Sequence, residues 1–330
     1  MAKIEATLKP TAKAIYAQYE KDNDDWRRDH LGASLIGDSC SRSLWYGFRW
    51  AIDPKFDGRI LRLFERGQRE ESWIIEDLRA LGMEVWEADT TKTVENEDGT
   101  VEHPQYRFEA FGGHMGGGMD GVVRGVLEAP KTPHVLEVKT SNDKRFKVLQ
   151  RDGVKIAQPK HYAQVQTYMK GFKLKRALYV CVNKNTDEIY TERVHYDAAF
   201  AKMIMSKAEN VIGSPTPLEK LSDDPSFWEC KFCDHRPVCH GMEFDQLERN
   251  CRTCVASTPQ GDGTWTCDHH GLQLDSEAQR KGCADHLFIP QLLEPWAVAG
   301  YTEGTREVIY SDGSGRAIVD DGSTLSKGIA

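Results

Sequence analysis

Gly118-Met-Asp120-Gly-Val-Val123, followed after a loop by His134-Val-Leu-Glu137-Val-Lys139-Thr140, decides how the rest of the chain is read. Both segments read as strands, Met119–Val126 and His134–Thr140. Side chains alternate along a strand, so Glu137 and Lys139 project from one face, about 7 Å apart. Val135 shares that face, while Leu136 and Val138 point the other way into packing. An acid beside a base at the end of an apolar strand is a poor way to fill a core. Asp120, on a neighbouring strand, can set a second carboxylate beside Glu137. Two carboxylates plus waters suit Mg²⁺ or Mn²⁺, hard ions that take oxygen ligands and keep part of their hydration shell. A lysine next to them can orient, or help deprotonate, a water that attacks a phosphodiester. The D…ExK pattern alone is weak, because E-x-K recurs on many solvated strands. Its neighbours carry the weight.

Working outward, helical spacing covers 8–24 and 61–81, with Leu63, Trp73, Ile74, Leu78 and Leu81 as the core stripe of the second and Gly82 ending it. Strands are predicted at Met83–Glu87 and Tyr106–Phe111, separated by an acidic, glycine-containing turn at Glu95–Thr100. A short helix over 142–150 and a longer one over 158–170 follow. Ala177–Asn183 and Glu188–Val194 flank the polar turn 184–187 as a hairpin, and Asp197 caps a helix running to about Val211. Gly213-Ser-Pro-Thr-Pro217 ends regular structure. The order of elements indicates a mixed α/β core. No internal repeat or low-complexity block interrupts it. A break near residue 242 divides the chain into 1–241 and a cysteine-rich module, 242–330.

Composition agrees with a soluble globular chain: 330 residues, 28% charged, 39% hydrophobic, mean hydropathy −0.57. These values exclude collagen-like, coiled-coil and wholly disordered classes. No apolar stretch approaches the ~18 residues of a membrane span. The N-terminal residues lack a hydrophobic signal core, so a cytoplasmic protein with no membrane partner is expected. The net charge of −8 does not announce a nucleic-acid binder. Local charge does: Lys139, Lys144, Arg145, Lys147, Arg151, Lys155 and Lys160 stand against Asp143 and Asp152, as for a groove that follows a phosphate backbone.

Seven of the nine cysteines fall within residues 230–283, which points to metal binding rather than disulfides. Cys181, in an apolar strand, reads as a buried inert thiol. Cys230, Cys233 and Cys239 are one ligand short of a closed site, and His235, His240 or Cys40 can complete it. Cys251, Cys254, Cys267 and Cys283 form a second, zinc-ribbon-like set in which His270 or His286 can replace one member. A structural Zn²⁺ there would stabilise a module short of apolar residues. Arg306–Val319 reads as a hairpin over Asp312-Gly-Ser-Gly315. His114 reads as exposed in a glycine-rich turn, and His161, three residues before Gln164, as a neighbour of the site. Gly116-x-Gly118-x-x-Gly121 runs into a strand, so it is not a dinucleotide fingerprint.

Four motifs in order, GxxxE at Gly67–Glu71, Asp120, ExK at Glu137–Lys139 and QxxxY at Gln164–Tyr168, resemble the PD-(D/E)xK nuclease superfamily in its RecB-like exonuclease branch. The resemblance spans roughly residues 30–240. It implies a restriction-endonuclease-like core, a central mixed sheet flanked by helices. It also implies that Asp120 and Glu137 bind the catalytic metal with Glu71 as an added ligand, that Lys139 assists the water, and that Gln164 and Tyr168 contact DNA or position the motif. Met119 replaces the name-giving proline, and Glu71 stands where many members carry histidine. Cys40 ahead of the core, with Cys230, Cys233 and Cys239 behind it, resembles the iron–sulfur members, implying a 4Fe–4S cluster. Such a cluster would close a loop of about 200 residues, worth several kcal/mol on the loop-entropy model. A zinc ion on the same ligands is the alternative. The layout is similar to phage-type recombination and repair exonucleases, with DNA and a recombination or replication protein as partners. A DNA-binding scaffold with a structural cluster and an iron–sulfur redox sensor are the rivals. Neither gives Glu137, Lys139, Gln164 and Tyr168 a collective purpose.

Overall fold

A computed structural model describes residues 9–23, 27–96, 99–242, 244–303, 305–322 and 325–328. Helix α1 (Pro10–Lys21), strand β1 (Leu31–Gly32) and helices α2 (Ser41–Phe48) and α3 (Gly58–Ala80) lead into β2 (Glu84–Trp86). A small ribbon, β3 (Val94–Glu95) with β4 (Val101–Glu102), precedes β5 (Arg107–Ala110), β6 (Met115–Gly118), β7 (Gly121–Arg124) and β8 (His134–Ser141). Helices α4 (Asp143–Ala157) and α5 (Pro159–Gly171) then cross to the hairpin β9 (Arg176–Asn183) and β10 (Ile189–His195), and α6 (Ala198–Gly213) follows. The five-stranded sheet runs β10-β9-β8-β7-β2. Only β8 and β9 pair in parallel within it, and a parallel pair needs a long crossover, which α4 and α5 supply. This is a mixed α/β fold with a central mixed sheet flanked by helices.

The alternation along β8 places its residues in two separate cores. Leu136 and Val138 join Val123, Leu178, Val180 and Val182 against Ile74, Ile75 and Leu78 of α3. Val135 belongs to the other core, with Tyr179 and Cys181 of β9 and Val165, Tyr168 and Met169 of α5. Cys181 is buried, as its apolar strand predicts.

Several local expectations change. The buried stripe of α3 is Leu61, Ile74, Ile75 and Leu78, whereas Leu63, Trp73 and Leu81 face solvent. The helix docks on the sheet through Ile74, Ile75 and Leu78, and this register turns Trp73 outward. Helix α4 runs on to Ala157 through a kink at Gly153, whose φ of 72° glycine tolerates. The N–H of Val154 after the kink donates to the Glu192 carboxylate at 2.7 Å. The glycine-rich run Met115–Gly118 is a strand rather than a turn, held between β1 and β5.

Beyond α6, helix α7 (Arg236–Cys239) precedes a three-stranded sheet of β11 (Ser257–Pro259), β12 (Trp265–Cys267) and β13 (Leu272–Leu274). After α8 (Ser276–Lys281) comes a sheet of β14 (Ala297–Tyr301), β15 (Val308–Ser311), β16 (Ala317–Asp320) and β17 (Leu325–Gly328), containing the hairpin expected around Asp312. Side chains from both sides of residue 242 share one core: Trp265, Phe288 and Leu292 cluster with Trp45 and Phe48. Two buried arginines fasten the join. Arg49 lies over Trp45 and Trp265 and donates to the carbonyls of Arg252 and Ser257. Arg252 lies over Trp50 and Trp265 and donates to the carbonyl of Phe48. Among the described residues no helix is long and apolar enough to cross a membrane.

Candidate active site

The register of β7 on β8, Gly121 opposite Leu136, brings Asp120 alongside Glu137. Asp120 sits in the two-residue step between β6 and β7, and its carboxylate accepts the N–H of Val138 at 2.8 Å. Glu137 is fully buried and ion-paired to the Lys139 ammonium, while its other carboxylate oxygen has no hydrogen-bond partner. Burial pushes the Glu137 carboxyl up to about 8; Asp120 and Glu71 add to the rise and Lys139 opposes it. Glu71 reaches the same place from α3, and burial followed by the charge of Asp120 lifts it to about 7. Burial also raises Asp120. Burial alone would lower Lys139, but the carboxylates of Glu137 and Asp120 hold its ammonium above the ordinary lysine value. Three carboxyl groups and one ammonium from three elements thus share one site. Three carboxyl groups that feel one another's charge, one with an orphaned oxygen, are the donor types that a hard divalent cation takes.

Gln164 and Tyr168 lie behind these groups, both buried. The Gln164 amide donates to the Tyr168 hydroxyl at 3.3 Å, and that hydroxyl donates to the carbonyl of Gly118 at 2.5 Å, two residues before Asp120. A Cβ on Gly117 would come within 2.8 Å of the same hydroxyl, so the close approach requires glycine. Of the two roles implied for this pair, buried placement suits positioning. His161 shares a hydrogen bond of 2.7 Å with Tyr179, the residue opposite Glu137 on β9. Burial, then the charge of Lys139, pushes its imidazole down to about 3 and keeps it neutral.

Most of the expected basic run forms exposed ion pairs with carboxylates of the same chain. Lys147 pairs with Asp143 at 2.9 Å, Arg151 with Asp152 at 2.7 Å, Lys155 with Asp197 at 3.3 Å, and Lys160 with Asp38. Sequence reading missed that Arg145 of this run, on α4, stands with two further cations, Arg66 on α3 and Lys184 just after β9. Arg66 donates to the Lys184 carbonyl at 3.2 Å. Burial, then the charges of Arg66 and Arg145, depresses the Lys184 ammonium. Arg66 and Lys184 are far apart in sequence, and Lys184 reads only as a turn residue, so no spacing signal links them. Arg145 also lines a cavity of about 1000 Å³, together with Phe64 and Gln68 of α3.

Cys40, Cys230, Cys233 and Cys239 line the same cavity. Cys40 caps α2 by accepting the N–H of Ser43 at 3.4 Å, and the Cys233 thiol donates to the Ser43 hydroxyl at 3.7 Å. Burial, then neighbouring thiols, raises Cys230; burial first also raises Cys233 and Cys239. Four thiols on one cavity are a donor set that fits a thiolate-bound cluster or zinc. Cys251, Cys254, Cys267 and Cys283 line a second cavity, and Cys251 is pushed up to about 11 by burial and then by the other three thiols. His286 is engaged at both ring nitrogens, with Arg249 at 3.0 Å and Thr253 at 3.1 Å. His270, by contrast, stands 3.8 Å from the Cys283 sulfur. His114 is not exposed: it is buried against Phe48 and Trp265, with its ring bonded to the Gln260 carbonyl at 2.8 Å.

No protein-family model and no curated protein matches the chain. Solved structures with a similar course include the protein SSO0001, 15% identical, covering 70% of this chain and 96% of that one, TM-score 0.40. They also include LHK-Exo in complex with dAMP, 14% identical, covering 60% and 89%, TM-score 0.37. The alkaline exonuclease LHK-Exo from Laribacter hongkongensis is 14% identical, covering 59% and 90%, TM-score 0.36. Similarity at this level carries no argument about activity. The functional reading rests on the site.

Proposed function

We propose that this protein is a divalent-metal-dependent DNA nuclease, an exonuclease that resects ends in recombination or repair. One observation carries the reading: Glu137 is buried with one oxygen paired to Lys139 and the other without a partner, within reach of the charges of Asp120 and Glu71. A structural ion pair would satisfy both oxygens. Asp120, Glu137 and Glu71 would hold Mg²⁺ or Mn²⁺, which when bound stabilises charge on the scissile phosphate and lowers the pKa of water.

The other roles belong to the chain. Lys139, held cationic by its carboxylate neighbours, orients the attacking water and offers positive charge to the phosphate. Tyr168 fixes the step that carries Asp120, and Gln164 fixes Tyr168. Arg66, Arg145 and Lys184 hold backbone phosphates of the DNA beside the site. Cys40, Cys230, Cys233 and Cys239 hold a 4Fe–4S cluster that fastens α2 to the segment after α6. The set Cys251, Cys254, Cys267 and Cys283 holds zinc.

End-labelled linear DNA and circular DNA are incubated with Mg²⁺ or Mn²⁺. Progressive loss of the label from linear substrate only, absent in Asp120→Ala, is expected. Wild-type protein that binds DNA and leaves it intact with Mn²⁺ present overturns the reading. Anaerobically purified protein should be brown and should bleach in Cys233→Ala; a colourless wild type containing zinc and no iron overturns the cluster alone.

A further inference from the structure

His269, His270 and Asp285 meet on the surface of the C-terminal segment, with ligand atoms all within 4.8 Å of one another. His270 Nε2 is 3.3 Å from Asp285 Oδ2, His269 Nε2 is 3.9 Å from that same oxygen, and Cys283 Sγ is 3.8 Å from His270 Nε2. Four ligands at about 2.0–2.3 Å around a tetrahedral zinc lie about 3.3–3.8 Å from each other. The separations of Asp285 from the two histidines, and of Cys283 from His270, are therefore close to edge lengths of such a tetrahedron. Two imidazoles, a carboxylate and a thiolate are also the donor types that Zn²⁺ takes.

Cys283 belongs to both groups, since it lines the second cavity with Cys251, Cys254 and Cys267 as well as with His269, His270 and Asp285. Four cysteines, two histidines and one aspartate make seven donors, enough for two four-coordinate sites that share a single thiolate. We propose that His269, His270, Asp285 and Cys283 bind a second zinc ion, bridged through Cys283 to the ion of the four-cysteine set; the bridge rests on the reading of that set as a zinc site. The second ion would tie the β12–β13 turn, which carries both histidines, to the segment after α8, which carries Cys283 and Asp285. The site has a built-in competitor. The Arg306 guanidinium contacts both ring nitrogens of His269, at 2.7 and 2.9 Å, and donates to the Asp285 carbonyl at 2.9 Å. Zinc at His269 displaces the first of these contacts, so binding there releases one hold of the segment ahead of β15.

The test is zinc and iron content of the untagged full-length protein after equilibrium dialysis against buffered zinc. Wild type should carry about two zinc ions per chain, and His270→Ala and Asp285→Asn about one each, with iron unchanged. Arg306→Ala should bind the second ion more tightly, because a competing cation has gone. One zinc in wild type and in both variants sinks the second site and leaves the four-cysteine site standing. No zinc in wild type sinks both. Loss of all zinc from the milder variant, Asp285→Asn, shows a single mixed-ligand site and overturns the two-ion count. Unchanged affinity in Arg306→Ala overturns the competition.

Discussion

Strand β8 has two faces that do different work. Leu136 and Val138 seal against α3, and each such side chain contributes roughly 1.5–3 kcal/mol by leaving water. On the other face Glu137 is withdrawn from solvent beside Lys139, whose side chain stays a quarter exposed; ionising that buried carboxyl costs several kcal/mol, which attraction to the ammonium offsets only in part. The first face holds the strand in place. The second uses that rigidity to hold Glu137 within the electrostatic reach of Asp120 and Glu71. Alternation lets adjacent residues serve stability and chemistry independently, and substitutions can test whether they do.

The largest effect is expected on the charged face. Asp120→Ala or Lys139→Ala should lower Mg²⁺- or Mn²⁺-dependent cleavage by at least about 10³-fold, while circular dichroism and DNA affinity stay near wild type. Retained cutting by either variant removes the basis of the proposed function. On the apolar face Leu136→Ala should cost roughly 2–5 kcal/mol in denaturant unfolding. Cleavage per folded molecule should not change. Lost activity at unchanged stability would mean that the two faces are not separable.

This division was legible in the sequence because the period of a strand is two and Val135, Leu136, Glu137, Val138 and Lys139 obey it. The order of elements around the central sheet was legible for the same reason. What was not legible depends on contacts between distant segments. Nothing local shows that Glu192 accepts the N–H of Val154 and so lets α4 run past Gly153. Glycines at 116–118 lack strand propensity, yet the Tyr168 hydroxyl needs the space left at Gly117, and the Gln105 side chain that at Gly118. The basic run from Lys139 to Lys160 looked free because Asp38 and Asp197, two of the carboxylates that pair with it, are far off in sequence. Arg49 and Arg252 gave no signal of burial at all, since arginine is ordinarily an exposed residue.

The charged face also sets a pH dependence through His161. Its folded-state pKa is about 3, below the ordinary 6.5, so the folded protein prefers the neutral ring. The resulting stability is fully present above 6.5 and is lost as pH falls from 6.5 towards 3. Between pH 7 and pH 5 this one group should remove about 2 kcal/mol, at 1.36 kcal/mol per pKa unit. His161→Leu should lose less stability over that interval than wild type in parallel urea titrations. Equal losses would show that the ring is not held neutral against Tyr179.

Tyr168→Phe should give the smallest change and the finest discrimination. The ring stays edge-on to Phe108, with centroids 6.5 Å apart, and only the hydroxyl between Gln164 and Gly118 is removed. Leaving a buried carbonyl unpaired costs about 1 kcal/mol or somewhat more. Because Gly118 lies two residues before Asp120, the loss should appear as misplacement of that carboxylate, lowering kcat about tenfold with KM for DNA unchanged. A raised KM at constant kcat would instead mean that the hydroxyl touches the nucleic acid. Tyr168 would then have to leave the core it shares with Val135 in the working enzyme, and the side of β8 that carries Glu137 and Lys139 would be one that opens.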